Sequence, residues 1–104
     1  FRPADPEETA ASLCAAVACQ SGPVSVAMTR QTVKTQGQVS AAIRRSGTLR
    51  GAYVIQKESA DLKAIVIASG SEVGIAIEAA ELGPGLLGSS VKSGRRSQDR
   101  TTPT

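Results

Sequence analysis

The first periodic pattern along the chain predicts a helix that begins after Asp5. Apolar side chains recur there at the i, i+3, i+4 and i+7 spacing of one helix face: Ala10, Leu13, Cys14 and Val17. Asp5 is a suitable N-cap, Pro6 fits the first helical position, and Glu8 follows three residues after the cap, as in a capping box. Gly22 and Pro23 end the helix, whose small side chains favour close packing on a sheet.

Residues 23–28 alternate larger and smaller side chains, which predicts a strand of about five residues. Three polar residues, Thr29, Arg30 and Gln31, follow at its carboxyl end, where open α/β sheets hold their ligands. Residues 32–50 are polar and show little periodicity. We therefore expect a linker there, with one helical turn at residues 40–45.

A second unit follows the linker. Residues 52–56 (AYVIQ) predict a short strand, and residues 64–68 (AIVIA) form the continuous apolar run typical of a parallel strand covered on both faces. Ser69-Gly70-Ser71 turns the chain, and residues 72–82 predict a helix with one apolar face. Ser71 serves more simply as its N-cap than as an anion site. The predicted fold is α/β: incomplete pieces of two parallel-sheet α/β domains joined by a linker.

The positive charge of the chain lies at one end. The 104 residues include 12 Lys and Arg against 9 Asp and Glu, and the whole excess falls in residues 86–104, here called the tail. Because the tail is rich in Ser, Gly and Thr, we expect it to be disordered. It is the only feature that favours nucleic acid, and since aromatic stacking groups and a folded basic face are both lacking, we predict no nucleic-acid partner.

Composition excludes several kinds of chemistry within the chain. There is no His, so neither a His base nor a His-containing zinc site is possible, and Cys14 and Cys19 cannot complete a tetrahedral metal site. We predict no catalytic, cofactor-binding or metal-binding residue. No apolar run approaches the ~18 residues that span a bilayer, and because the sequence does not open on a basic segment followed by an apolar one, we expect no signal peptide. We expect no membrane partner and a cytoplasmic location.

Four strings occur in fixed order: FRPADPEETAASL, GPVSVAMTRQ, GAYVIQ and AIVIASGSEVGIAIEAAELG. Together they resemble one stretch of the transketolases and of relatives such as dihydroxyacetone synthase. The resemblance implies that residues 1–31 end the pyrimidine-binding domain, that 32–50 form the interdomain linker, and that 51–85 begin the C-terminal domain. Enzymes of this family are homodimers that transfer a two-carbon ketol unit between sugar phosphates, in the pentose phosphate pathway or the Calvin cycle, using thiamine diphosphate and Mg²⁺.

One functional position carries over from the resemblance. Arg30 matches the arginine of the family motif that binds the terminal phosphate of the substrate. The chemistry agrees, because a guanidinium is always charged and its planar fork holds two phosphate oxygens at once. The simpler alternative is that Arg30 forms a surface ion pair.

The resemblance also implies that most of the active site lies outside this sequence. The segment that holds diphosphate and metal, the glutamate that activates the cofactor and the substrate-contacting histidines have no counterpart here. We therefore expect the chain alone to bind no cofactor and to be inactive. The alternative is a non-catalytic interaction or regulatory fragment that associates with a full-length homologue. After Gly85 the tail departs from the family pattern in the way a change of reading frame would.

Overall fold

The structure is a computed structural model that describes residues 1–82 and the backbone of residues 89–94. Its first helix, α1 (Pro6–Ala18), begins at the predicted cap. Asp5 Oδ1 accepts the N–H of Glu8 at 3.0 Å, and Glu8 Oε2 accepts the N–H of Ala4 at 2.8 Å. These two reciprocal bonds satisfy donors that the first turn of a helix otherwise leaves unpaired, so the capping prediction is confirmed.

The predicted buried face of α1 is wrong. Leu13 and Cys14 are exposed and Val17 is 89% exposed, whereas Glu8 and Ser12 are buried. The reason is the second helix, α2 (Ala41–Arg50), which packs against the opposite side of α1. Because α1 consists largely of small apolar residues, its faces differ little in hydrophobicity, and the sequence pattern does not show which face is buried.

The strand predicted at residues 23–28 is also not formed. The segment is extended and makes a strand-like hydrogen bond from the N–H of Ala27 to the carbonyl oxygen of Phe1 at 2.8 Å. Residues 1–31, all of which the structure describes, contain no assigned strand. The part of the chain before the predicted linker is therefore a helix flanked by extended chain.

The predicted linker contains a full helix rather than one turn. Ser40 caps α2 by accepting the N–H of Ile43 at 3.3 Å, and Gly51 ends it in the left-handed region at φ 101°. Both are ordinary helix boundary signals. Hydrophobic periodicity does not reveal this helix, because most of its side chains are polar or small and its buried residues include Arg44 and Thr48.

The second unit matches the predicted bounds. β1 (Ala52–Gln56), β2 (Ala64–Ala68) and α3 (Glu72–Leu82) lie where the sequence places them, and Gly70, at φ 61°, turns the chain before α3. Among the described residues, no helix is long and apolar enough to cross a bilayer.

A third strand, β3 (Ser89–Gly94), lies between the other two, so the sheet order is β1-β3-β2. The prediction of a wholly disordered tail is wrong for these six residues, while residues 86–88 and 95–104 of the tail lie outside the described part. The sheet is mixed, since β3 runs parallel to β2 and antiparallel to β1. The α/β class is confirmed, but the expectation of purely parallel pairing holds only for β2 and β3.

The core is small and draws on both predicted units. Its buried members come from the start of the chain, β1 and α3: Ala4, Tyr53, Ile55, Val73 and Ile77. Five partly buried residues pack against them: Val39, Val66, Ala68, Ala76 and Ala80. β2 is covered on one face only, because Ile65 and Ile67 are exposed. The expectation that β2 is covered on both faces is therefore wrong for this chain.

Gly47 of α2 packs directly against the ring of Tyr53 in the core. A Cβ atom at Gly47 would overlap the ring of Tyr53, whereas Gly37 has nothing within 4 Å of the same position. A glycine-to-alanine change inside a helix ordinarily stabilises it by about 1 kcal/mol. We expect Gly47→Ala to lower the free energy of unfolding by about 1–3 kcal/mol instead, because overpacking costs more than helix propensity returns.

Urea denaturation followed by circular dichroism measures this effect. The matched control is Gly37→Ala, which we expect to leave the free energy of unfolding within about 0.5 kcal/mol of the unsubstituted chain. A Gly47→Ala variant as stable as that control would show that α2 and β1 do not pack as described.

Candidate functional site

The candidate phosphate-binding arginine lies on a loop that is fixed at both ends. Before Arg30, the N–H of Ala27 donates to the carbonyl of Phe1. After it, the N–H of Gln36 donates to Asp5 Oδ2 at 3.3 Å. The acceptors of both bonds, Phe1 and Asp5, are among the first five residues, so the loop is held against the segment that leads into α1.

The side chain of Arg30 is free to meet a ligand. Arg30 is exposed, and its side chain forms no hydrogen bond or ion pair with any residue of the described part of the chain. The neighbouring turn is ordered by Thr29, whose Oγ1 accepts the N–H of Gln31 at 3.1 Å. No described acid competes for the guanidinium, so the surface ion pair that was the simpler alternative is not present there.

Two cavities flank this loop. One, of about 460 Å³, is largely apolar and is lined by Pro3, Ala10, Leu13, Met28 and Val33 among others. The other, of about 390 Å³, lies between the loop and α3 and is more polar, with Gln31, Lys34, Gln38 and Glu78 in its wall. Arg30 lines neither of them. The structure thus places Arg30 on the outer surface of the loop, and Gln31 next to both cavities.

A buried polar network holds the loop, α1 and α2 together. Asp5, 3% exposed, caps α1, accepts the Gln36 N–H and lies 3.2 Å from Arg44 Nε. Arg44 also donates from Nη1 to the carbonyl of Val39 at 3.2 Å. Its Nε has no aligned hydrogen-bond partner, so the Asp5–Arg44 contact is an ion pair by distance. One carboxylate therefore joins three segments of the chain.

Tyr53 extends this network into the sheet. Its hydroxyl donates to Glu8 Oε1 at 2.5 Å, while Glu8 Oε2 accepts the N–H of Ala4. Burial raises the pKa of Tyr53 well above its usual range, and the hydrogen bond to the Glu8 carboxylate raises that pKa further. The phenol is thus held protonated as a donor to a buried carboxylate.

Tyr53 offers a direct pH measurement because it is the only tyrosine, in a chain with no tryptophan. A group whose pKa is higher in the folded state stabilises the fold fully below the unfolded pKa of about 10 and loses that contribution as the pH rises beyond it. We expect absorbance at 295 nm to show no phenolate in the folded chain at pH 10–11, and ionisation near pH 10 in 8 M urea.

The same measurement would reveal whether Tyr53 is instead exposed and not bonded to Glu8. Unfolding above pH 10, followed by circular dichroism, should coincide with the appearance of phenolate. Ionisation of Tyr53 near pH 10 while the chain stays folded would contradict the hydrogen bond to Glu8.

Arg2 makes an interaction that the sequence did not indicate. Its guanidinium donates to Glu72 Oε1 at 2.8 Å and to the carbonyl of Ser69 at 3.1 Å, and the N–H of Gly70 donates to the Arg2 carbonyl at 3.0 Å. The hydrogen bond from Arg2 lowers the pKa of the Glu72 carboxyl. Arg2 thereby stabilises the Ser69–Ser71 turn through hydrogen bonds within the chain, and the conformation of the turn does not require a bound anion. Only a weak signal existed in the sequence, namely a lone arginine beside Pro3.

Comparison with known proteins connects these features to one family. No protein-family model matches the chain. In structure, it is similar to the transketolase of Leishmania mexicana, with a TM-score of 0.77 and 32% identity over 90% of this chain and 13% of that one. In sequence, it is 45% identical over 87 residues to the transketolase of Physarum polycephalum, which is 83% of this chain and 13% of that protein. This chain belongs to the transketolase family.

The relation to transketolases covers most of this chain and little of theirs. The transketolase of Dictyostelium discoideum is 48% identical over 82 residues, which are 79% of this chain and 12% of that protein. A transketolase from Pichia stipitis, solved in complex with sedoheptulose-7-phosphate, matches 89% of this chain and 13% of its own, with 32% identity and a TM-score of 0.73. The chain thus spans about an eighth of the length of these transketolases.

The described residues do not fit the Mg²⁺ ion that accompanies the cofactor in transketolases. They contain no cluster of three or more His, Cys, Asp or Glu that could hold a metal ion. The two buried carboxylates, Asp5 and Glu8, are already engaged by Arg44, Tyr53 and backbone N–H groups. Neither of them therefore offers an open set of oxygens for Mg²⁺.

Proposed function

We propose that this chain supplies the substrate-phosphate element of a transketolase-type ketol transferase, with Arg30 as the residue that binds the terminal phosphate. The observation that carries the proposal is the exposed guanidinium of Arg30, unpaired among the described residues, on a loop anchored at Ala27 and Gln36. The loop backbone on both sides of Arg30 is anchored, so phosphate binding has to order only the Arg30 side chain, and its planar fork matches two phosphate oxygens. The sugar-phosphate complex of the Pichia stipitis transketolase supports this class of substrate.

The proposal assigns the finer domain layout as well. Residues 1–31 end a pyrimidine-binding domain, residues 32–50 connect it to the C-terminal domain, and residues 51–85 begin that domain. This layout rests on the resemblance to transketolases; in the structure, the buried ion pair of Asp5 and Arg44 packs the connector against the first of these parts. The remaining active-site groups, thiamine diphosphate, Mg²⁺ and dimerisation belong to the rest of a full-length enzyme. The matches to transketolases do not favour the alternative of a non-catalytic partner of a homologue.

A chimera tests this function. The 82 matched residues of the Dictyostelium discoideum transketolase would be replaced by their counterparts from this chain. We expect the chimera to transfer a ketol unit from xylulose 5-phosphate to ribose 5-phosphate with kcat/KM within about tenfold of the parent enzyme, which corresponds to ~1.4 kcal/mol of transition-state stabilisation.

Two comparisons accompany the chimera assay. The 104-residue chain alone, with thiamine diphosphate and Mg²⁺, is expected to give no turnover, and turnover by it would contradict the division of labour proposed above. A chimera that matches the parent in its circular dichroism spectrum and dimer mass but lacks activity would overturn the proposed function.

A further inference from the structure

The backbone at Arg30 is held by the side chain of the residue before it. Thr29 Oγ1 accepts the N–H of Gln31 at 3.1 Å, so this hydrogen bond passes across Arg30. The ring that the bond closes contains both backbone dihedral angles of Arg30, as in the turns that Ser and Thr hydroxyls form with the backbone two residues on. The hydroxyl of Thr29 therefore restricts the direction in which the Arg30 side chain leaves the loop.

Little else restrains this part of the loop. In residues 28–35, all of which the structure describes, the one other hydrogen bond is from Gln36 Nε2 to the carbonyl of Lys34 at 3.0 Å. The anchors at Ala27 and Gln36 lie three and six residues away from Arg30. Backbone between distant anchors retains conformational freedom, which a bound ligand would have to remove. The bond of Thr29 is thus the restraint that acts directly on the backbone of Arg30.

Thr29 and Arg30 lie on different sides of the loop. Thr29 is half-buried and lines the largely apolar cavity of about 460 Å³, whereas Arg30 is exposed and lines neither cavity. The hydroxyl of Thr29 accepts a bond from the loop's own backbone, while the guanidinium beside it faces solvent. This arrangement suits one residue that holds the turn and a neighbour that meets the ligand.

We propose that Thr29 is a positioning residue for the phosphate of the acceptor and that it acts through Arg30. The inference rests on the proposed function, because the placement of Arg30 affects the reaction only if Arg30 binds the phosphate. A planar guanidinium forms two parallel hydrogen bonds to phosphate oxygens only in a narrow range of orientations. Loss of the Thr29 hydroxyl should therefore weaken the recognition of phosphorylated acceptors and leave the reaction of unphosphorylated ones unchanged.

Substitution of Thr29 in the chimeric transketolase tests this role. Valine keeps the shape of threonine but has no hydrogen-bond acceptor, so we expect Thr29→Val to lower kcat/KM for ribose 5-phosphate by about 3–10-fold, the usual effect of losing one hydrogen bond. The value for ribose should stay within about twofold. Thr29→Ser keeps the acceptor and should stay within about twofold of the chimera with both substrates.

Thr32 offers a matched control in the same loop. It is exposed, and its side chain forms no hydrogen bond with any residue of the described part of the chain. Thr32→Val makes the same chemical change as Thr29→Val, and we expect it to alter kcat/KM for ribose 5-phosphate by less than about twofold. Equal effects of the two substitutions, or no effect of Thr29→Val, would overturn the proposal.

A double-mutant cycle separates positioning from direct contact with the phosphate. In the Arg30→Leu background, Thr29→Val should change kcat/KM for ribose 5-phosphate by less than about twofold, because the side chain that Thr29 positions is gone. An undiminished effect there would show that Thr29 binds the phosphate itself, which contradicts the proposal. Failure of the proposed function gives a different result, an Arg30→Leu variant that keeps its preference for ribose 5-phosphate over ribose, and this result would overturn both.

Discussion

Arg44→Met is expected to lower the free energy of unfolding by about 3–5 kcal/mol, which is the usual cost of leaving one member of a buried ion pair without its partner. The side chains of Arg44 and Asp5 are 6% and 1% exposed, so water cannot replace the lost guanidinium. The carbonyl of Val39 loses a donor as well. Small domains have narrow stability margins, and we therefore expect this variant to be largely unfolded at 25 °C.

The neighbouring residue gives a matched control. Arg45 forms an ion pair with Glu7, but the two side chains are 58% and 33% exposed. Arg45→Met should change the free energy of unfolding by about 1 kcal/mol or less, as exposed pairs do. Asp5→Asn combined with Arg44→Met should recover part of the loss, because asparagine keeps the helix cap and removes the buried charge. Equal effects of the Arg44 and Arg45 substitutions in urea denaturation would contradict the buried network.

The second large effect concerns Arg30. In the chimeric transketolase, Arg30→Leu is expected to lower kcat/KM for ribose 5-phosphate by about 10–150-fold. This range corresponds to the ~1.5–3 kcal/mol of a hydrogen bond to a charged group. Lys34 offers a control, since it is an exposed cation four residues along the same loop.

Steady-state kinetics with ribose 5-phosphate as the varied acceptor measures this effect. Lys34→Leu should change kcat/KM less than threefold, because a general loss of positive charge acts only through screened, long-range attraction. Equal losses from both substitutions would assign the effect to overall charge and not to a bound phosphate.

The fold was predictable where the chain carries its own boundary signals. Asp5, Pro6 and Glu8 define the start of α1 by local hydrogen bonds alone, and the apolar run of β2 needs no tertiary information to be identified as a strand. The α2 helix had such signals in Ser40 and Gly51, but its polar composition concealed them from a periodicity argument.

What the sequence could not predict depends on contacts between distant residues. The pairing of Asp5 with Arg44 and of Glu8 with Tyr53 joins positions 39 and 45 residues apart, and no local pattern indicates either one. The exposed faces of α1 and β2 were misassigned for a related reason. Their apolar side chains, such as Val17 and Ile67, suit a larger fold, and this chain spans only an eighth of the transketolases that it matches.

The candidate site divides in the same way. The motif Thr29-Arg30-Gln31 predicts a phosphate-binding position through its resemblance to transketolases. The anchors of its loop, at Ala27 and Gln36, come only from the structure. These anchors position the loop backbone that carries Arg30, whose exposed side chain has no ion-pair partner among the described residues.

The most direct test of the central proposal is the preference of the chimera for a phosphorylated acceptor. The ratio of kcat/KM for ribose 5-phosphate to that for ribose would be measured with Arg30 in place and after Arg30→Leu. If Arg30 binds the phosphate, the substitution lowers this ratio by about 10-fold or more and leaves kcat/KM for ribose within about threefold. An unchanged ratio, with both acceptors affected alike, would contradict the assignment of Arg30 as the phosphate-binding residue.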